Sequence, residues 1–192
     1  MTAREIAPAF TLDDARASGM SKDQVYWRLK RGDFERIGHG AFVRDGDIDP
    51  AYTVLAAATA VQPTATLCLT SALVHHGLSD EIPTVTDIAL PRGTRHPAGF
   101  THAAWHSFAT ETFEIGRESI DIGTGYHASI YSAERTIVDC FRLTYPENNH
   151  MGYTALRRWS ARKGSSPRRL LKTASPFPQA IPKLRFALEV LL

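Results

Sequence analysis

A chain of 192 residues with 43% hydrophobic content has room for one full-sized globular domain and a smaller companion. No run approaches the ~18 apolar residues of a membrane span, and MTAREIAPAF at the start offers no apolar signal region. Cys68 and Cys140, the only cysteines, lie in apolar stretches without ligand spacing, so the expectation is a cytosolic protein with two buried free thiols.

The net charge of +2 conceals an uneven distribution. Residues 1–44 carry eight Lys/Arg against six Asp/Glu, residues 45–141 carry four against twelve, and residues 142–192 carry ten against two. Such segregation points to the two ends, not the middle, as the surfaces that approach a polyanion.

In chain order, Met1 to Phe10 reads as a short helix or arm limited by Pro8. Thr11 is placed to cap a helix over Leu12 to Ser18, and Gly19 supplies the break that a tight helix–helix turn needs. Ser21 opens a second helix with Gln24 three residues on, a capping-box spacing. That helix runs to Arg31 and stops at Gly32, a residue type that accepts a left-handed C-terminal conformation. At about 100° per residue, Val25 and Leu29 point toward a small core. Asp23, Gln24, Trp27, Lys30 and Arg31 fall on the opposite side, with Tyr26 and Arg28 on the flanks.

Phe34-Glu35-Arg36-Ile37 alternates like a strand, Gly38-His39-Gly40 offers a turn, and Ala41-Phe42-Val43-Arg44 reads as the return strand. A helix, a glycine and then a small hairpin is the order of a recognition helix and its wing. An exposed helix face of cations, an amide and rings suits a DNA major groove: Arg and Lys pair with guanine edges or phosphates, Gln with adenine, and rings pack on sugars or thymine methyls. The candidate DNA-binding set is Ser21, Lys22, Gln24, Tyr26, Trp27, Arg28, Lys30 and Arg31 on the helix, with Arg36 and His39 on the wing. Arg44 is a further candidate for a backbone contact. The bland alternative is a solvated helix face with Trp27 docked elsewhere.

Asp45 to Pro50 is a polar, turn-rich connector, which places a winged helix-turn-helix domain at 1–46 and a second domain at 47–192. The second domain begins with a helix over Ala51 to Val61 and another over Thr66 to Leu78. Short β stretches follow at 85–90, 100–108, 112–115, 119–122 and 126–131. Ser132 caps a helix beginning at Ala133, and basic helical stretches follow at 152–162, 167–173 and 182–192. Helices, then strands, then helices imply an α+β domain with a mostly antiparallel sheet and a basic helical C-terminus.

With these residues placed, the chain resembles the AbiEi family of antitoxins from type IV toxin–antitoxin systems. The likeness rests on three ordered motifs across residues 11–142: Gly32, Arg36, Ile37, Gly40 and Phe42 of the wing; Ser71 to Leu78 with Pro83 and Pro91-Arg92-Gly93; and Ser132 to Asp139. The resemblance implies a winged helix that binds double-stranded operator DNA and represses its own operon. It also implies a C-terminal domain that counteracts a nucleotidyltransferase-like toxin encoded next door, a genetic partner more than a stably bound one. The family pattern has a full helix before Leu12, for which Met1 to Phe10 is short.

Arg135 and Asp139 have the spacing of an intrahelical ion pair. A nuclease would use Glu134 and Asp139 as metal-binding carboxylates, but a third acidic residue and a suitably spaced lysine are missing. His102 and His106 are four apart without the glutamate of a metalloprotease, and His75 and His76 diverge on a helix, so no metal site is expected. Ser71 near His75 lacks a glycine-flanked elbow. No phosphate-binding or dinucleotide fingerprint is present, and no cofactor is expected. The basic run of Arg157, Arg158, Arg162, Lys163, Arg168 and Arg169 reads as a solvated face, a second nucleic-acid surface or an antitoxin surface. The reading is a non-enzymatic DNA-binding antitoxin. The alternatives are a winged-helix-targeted nuclease or nucleotide-processing enzyme, and a winged-helix protein-interaction module.

Overall fold

A computed structural model of the chain describes residues 6–143 and 146–191. The N-terminal module consists of β1 (Ala9–Thr11), α1 (Leu12–Ala17), α2 (Lys22–Arg31), β2 (Phe34–Gly38) and β3 (Ala41–Arg44). Both helices start as their sequence suggests: Thr11 and Asp14, then Ser21 and Gln24, form reciprocal capping boxes. Gly32 ends α2 at φ +84°, a left-handed conformation that glycine adopts without a Cβ penalty. The described part of the predicted N-terminal helix or arm differs. Ala9 to Thr11 add a third strand to the hairpin, in the order β1-β3-β2, all antiparallel. Two apolar residues beside an unpaired strand edge gain a ladder there, whereas Pro8 would interrupt a helix. Residues 1–5 of that predicted arm lie outside the described residues.

This small sheet is apolar on both faces, and its period of two sorts the residues. Phe10, Phe34 and Phe42 face α1 and α2, where Ile6, Ala15 and Val25 close a core. Ala9, Ala41 and Val43 face the other way, into a core shared with α3 (Thr53–Val61). Ala56, Ala57 and Ala58 of α3 are fully buried, and their small side chains let the helix lie close to the sheet. The module thus has a core of its own and a second core in common with the rest of the chain.

The remainder contains β4 (Thr66–Leu67), α4 (Leu69–His75), β5 (Thr86–Pro91), β6 (Ala103–Phe108), β7 (Arg117–Asp121) and β8 (His127–Tyr131). These precede α5 (Ala133–Arg142), α6 (Pro146–Ser160), α7 (Pro167–Ala174) and α8 (Ile181–Leu191). The five strands form one sheet in the order β6-β5-β4-β8-β7. One face, with Leu67, Ile88, Leu90 and Ile130, meets α3. The other, with Ala89, Phe108 and Tyr131, lies toward α5. Helix α5 is buried from Arg135 to Phe141, and α4, α6, α7 and α8 share its core.

The α+β class holds, with differences in detail. The large sheet is mixed: β4 pairs antiparallel with β5, and β7 with β8, while β4/β8 and β5/β6 are parallel. Residues 92–102 between β5 and β6 are long enough to cross back and restart in the same direction, which a tight turn cannot do. Thr66 and Leu67, predicted as the start of a helix, are a two-residue central strand held from both sides; helix α4 begins only at Leu69, where the chain turns at φ +43°. The stretch predicted as a strand at 112–115 is instead the last residue of a 3-10 turn at Thr110–Thr112 and the turn residues after it.

Candidate nucleic-acid interface

Helix α2 presents the faces that its sequence implies. Val25 is fully buried and Leu29 packs on the same core, while Ser21, Lys22, Gln24, Trp27, Arg28, Lys30 and Arg31 are exposed and Tyr26 is half-buried. Trp27 is 55% exposed, so it is not docked on another part of the chain. Three cations lie over rings of the module: Arg31 at 4.5 Å from the Trp27 centroid, Arg28 at 5.6 Å from Phe34, and Lys22 at 5.7 Å from Tyr26. Stacking of this kind restricts the cation while leaving its hydrogen-bond donors outward. Arg31 also lies 3.8 Å from the half-exposed Asp33, a pair weak enough in water to be exchanged for a phosphate.

Two residues have roles that compete with recognition. The Gln24 side-chain oxygen accepts from the Ser21 backbone N–H at 2.7 Å, so a bidentate contact to adenine would need the cap to open. Ser21 Oγ accepts from the Gln24 backbone N–H at 3.2 Å. Arg44 is turned inward: it is paired with Asp47 at 3.1 Å and donates to the Ile6 carbonyl, so it ties the N-terminal arm down rather than facing outward.

The hairpin that follows α2 carries exposed Arg36 and His39. Arg36 Nε donates to the Gly38 carbonyl at 3.2 Å, which folds the side chain along the turn. The tip is not free. The His39 backbone N–H donates to the carbonyl of Ala98 at 2.9 Å. Gly38 packs so closely on Phe100 that a Cβ there would lie 2.2 Å from the ring, which is why no larger residue fits at this turn. A groove of ~230 Å³ between them is lined by Arg36, Ile37, Gly38, His39 and Gly99. This contact between the wing and the loop after β5 was not anticipated from sequence. The only local hint was a pair of glycines and two arginines between Pro91 and Phe100.

The C-terminal basic run divides. Arg158 forms a two-pronged pair with Asp80, with one arm at 2.7 Å. Arg162 donates to the carbonyls of His76 and Gly77, closing the C-terminal end of α4, and Arg169 Nε donates to Glu134 at 2.9 Å. Arg157, Lys163 and Arg168 are exposed and have no ion pair among the described residues.

Elsewhere, the Arg135–Asp139 pair, Glu134 and Ser71 are engaged in structure. Arg135 and Asp139, both fully buried, pair at 3.0 Å; Arg142 reaches the same carboxylate oxygen at 2.6 Å. Arg135 also donates to the carbonyls of Thr112 and Ile115 and lies over the rings of Tyr131 and Phe177 at 4.2 and 4.5 Å. Glu134 faces Arg169, so the two carboxylates of a nuclease reading are each held by arginine in different surroundings.

Ser71 accepts from the Asp87 backbone N–H at 2.9 Å, and Asp87 in turn receives His106 at 2.8 Å. His75 hydrogen-bonds with Tyr52 at 2.6 Å, and among the described residues no histidine hydrogen-bonds to Ser71. His102 and His106 fall on or beside a strand, not a helix. Among the described residues no three His, Cys, Asp or Glu side chains gather as a metal would require. Cys68 and Cys140 are buried thiols whose pKa values are raised by burial, that of Cys140 to about 12. No helix among the described residues is long and apolar enough to cross a membrane.

No protein-family model matches the sequence, and no curated protein matches it. Among solved structures, the crystal structure of the Rv2827c protein from Mycobacterium tuberculosis is similar. It aligns over 97% of this chain and 73% of that one, with a TM-score of 0.64 and 20% sequence identity. At that identity the likeness concerns the fold alone, and the α+β architecture described above is one that this chain shares with a solved protein.

Proposed function

We propose that this protein is a DNA-binding transcriptional regulator and the antitoxin of a type IV toxin–antitoxin pair, working in the cytoplasm without catalysis of its own. One observation carries the DNA-binding part: Trp27, Lys30 and Arg31 are exposed on the face of α2 opposite buried Val25, with the wing beside them. A helix of this diameter fits the major groove of duplex DNA. Lys30 and Arg31 then meet guanine edges or phosphates, Trp27 packs on sugars or a thymine methyl, and Arg36 and His39 fix register on the backbone. The antitoxin part is supported by the AbiEi-like motifs, and its genetic partner is a nucleotidyltransferase-like toxin.

The test is fluorescence anisotropy with the protein's own upstream duplex and a scrambled control over a salt series. The expected result is a strong preference for the upstream duplex and an affinity that falls linearly with the logarithm of salt. Weak, unselective and salt-insensitive binding would sink the DNA reading. Separately, co-expression with the neighbouring toxin should restore growth; failure to do so with DNA binding intact would remove the antitoxin half.

A further inference from the structure

The acidic segment 45–141 holds only four cations, Arg92, Arg95, Arg117 and Arg135. Arg117 is tied to Thr66, Pro63 and Glu114, and Arg135 is buried with Asp139. Arg92 and Arg95 are exposed, and their side chains have neither an ion pair nor a hydrogen bond among the described residues. Both lie on the loop that holds the wing tip. The loop is anchored where Arg92 N donates to Phe108 at 2.7 Å and where Ala98 accepts from His39 at 2.9 Å.

Between those anchors a line of rings fixes its course. Phe100 packs on Gly38 and meets Trp105 edge-on at 5.4 Å, and His96 stacks on Trp105 at 6.0 Å while bonding Ser107. Arg95 is three residues from Ala98, so its backbone lies within about 11 Å of the wing contact.

Resting on the DNA-binding reading above, we propose that this loop belongs to the same DNA-facing surface. Arg92 and Arg95 contact backbone phosphates of the duplex beside those met by Arg36 and His39. The second domain thereby widens the footprint of the winged helix and holds the wing at a fixed angle to it. Because phosphates carry no sequence information, the loop raises affinity for every duplex alike.

The experiment compares the full-length protein with Arg92→Ala/Arg95→Ala and, as a charge-matched control, Lys183→Ala/Arg185→Ala on α8, together with Arg31→Ala. Each is titrated against the upstream and scrambled duplexes over a salt series. The loop variant is expected to weaken on both duplexes and to flatten the salt slope by roughly 1–2, with the preference between duplexes kept and the control unchanged. Equal weakening in the control would overturn the proposal, because net charge alone would then account for the effect. An unchanged loop variant beside a weakened Arg31→Ala would overturn it and leave the DNA-binding reading standing. No salt-dependent binding by any form, wild type included, would overturn both.

Discussion

On α2 the cations Lys22, Arg28 and Arg31 lie over rings of their own module and stay exposed. Along the stretch from Arg157 to Arg169, three arginines instead reach across the chain, to Asp80, to the end of α4 and to Glu134. The two regions are alike in composition, but in the second only Arg157, Lys163 and Arg168 of the six cations lack such a tie among the described residues. Lys22 with Tyr26, and Trp27 with Arg31, are neighbours four apart on one helix, so their contact is local. Arg158 and Asp80 are 78 residues apart, and nothing near either one announces the other. A count of basic residues therefore locates charge but not availability.

The largest effect that probes this difference is expected where arginines are buried. Asp139→Ala leaves Arg135 and Arg142 without their shared carboxylate and should cost about 3–5 kcal/mol, measured by urea denaturation. A loss under about 1 kcal/mol would mean that the arginines relax to water and are not structural at all.

Next come changes on the module itself. Gly38→Ala forces a methyl into the Phe100 ring and should destabilise by about 1–3 kcal/mol; a melting curve like the wild type's would show that the wing and loop separate freely. Arg31→Ala should weaken upstream-duplex binding by about 1–3 kcal/mol without lowering the melting temperature. Arg158→Ala should do the reverse, with a slight fall in melting temperature and unchanged DNA affinity. If the two variants exchanged phenotypes, the contrast between the regions would be lost.

The smallest effect is a pH dependence at the end of α4. Burial lowers the pKa of His76 from 6.5, and Arg162 lowers it further, against the raising influence of its bond to the Tyr131 carbonyl and of Glu134. A histidine held neutral by the fold adds stability that is fully present above its unfolded pKa and is lost as pH falls through the lower folded value. The melting temperature should thus be flat from pH ~8 to ~6.5 and decline below that, and His76→Gln should soften the decline. A melting temperature that rose on acidification would contradict this.

Much of the module was legible in sequence because its determinants are local. The N-cap at Thr11, the capping box at Ser21, the left-handed Gly32, the inward Val25 and the hairpin over 34–44 are all set within a few residues. The misread parts depend on distant partners. Thr66 and Leu67 are a strand because β5 and β8 flank them, and Ala9 to Thr11 are a strand because β3 offers an edge. The inward turn of Arg44 and the docking of loop 92–99 on the wing likewise need the three-dimensional neighbours. The mixed sheet followed from a long crossover that short, glycine-separated stretches disguised as hairpins.

The most direct test of the central claim, that α2 and its wing face DNA while the C-terminal helices do not, is hydroxyl-radical footprinting with mass spectrometry, with and without saturating upstream duplex. Trp27 at 55% exposure is the reporter on α2, and Tyr153 at 38% and Phe186 at 61% report on the C-terminal helices. The account expects DNA to suppress oxidation at Trp27 and His39 and to leave Tyr153 and Phe186 unchanged. Protection of Tyr153 and Phe186 with Trp27 still oxidised at the free-protein rate would contradict it.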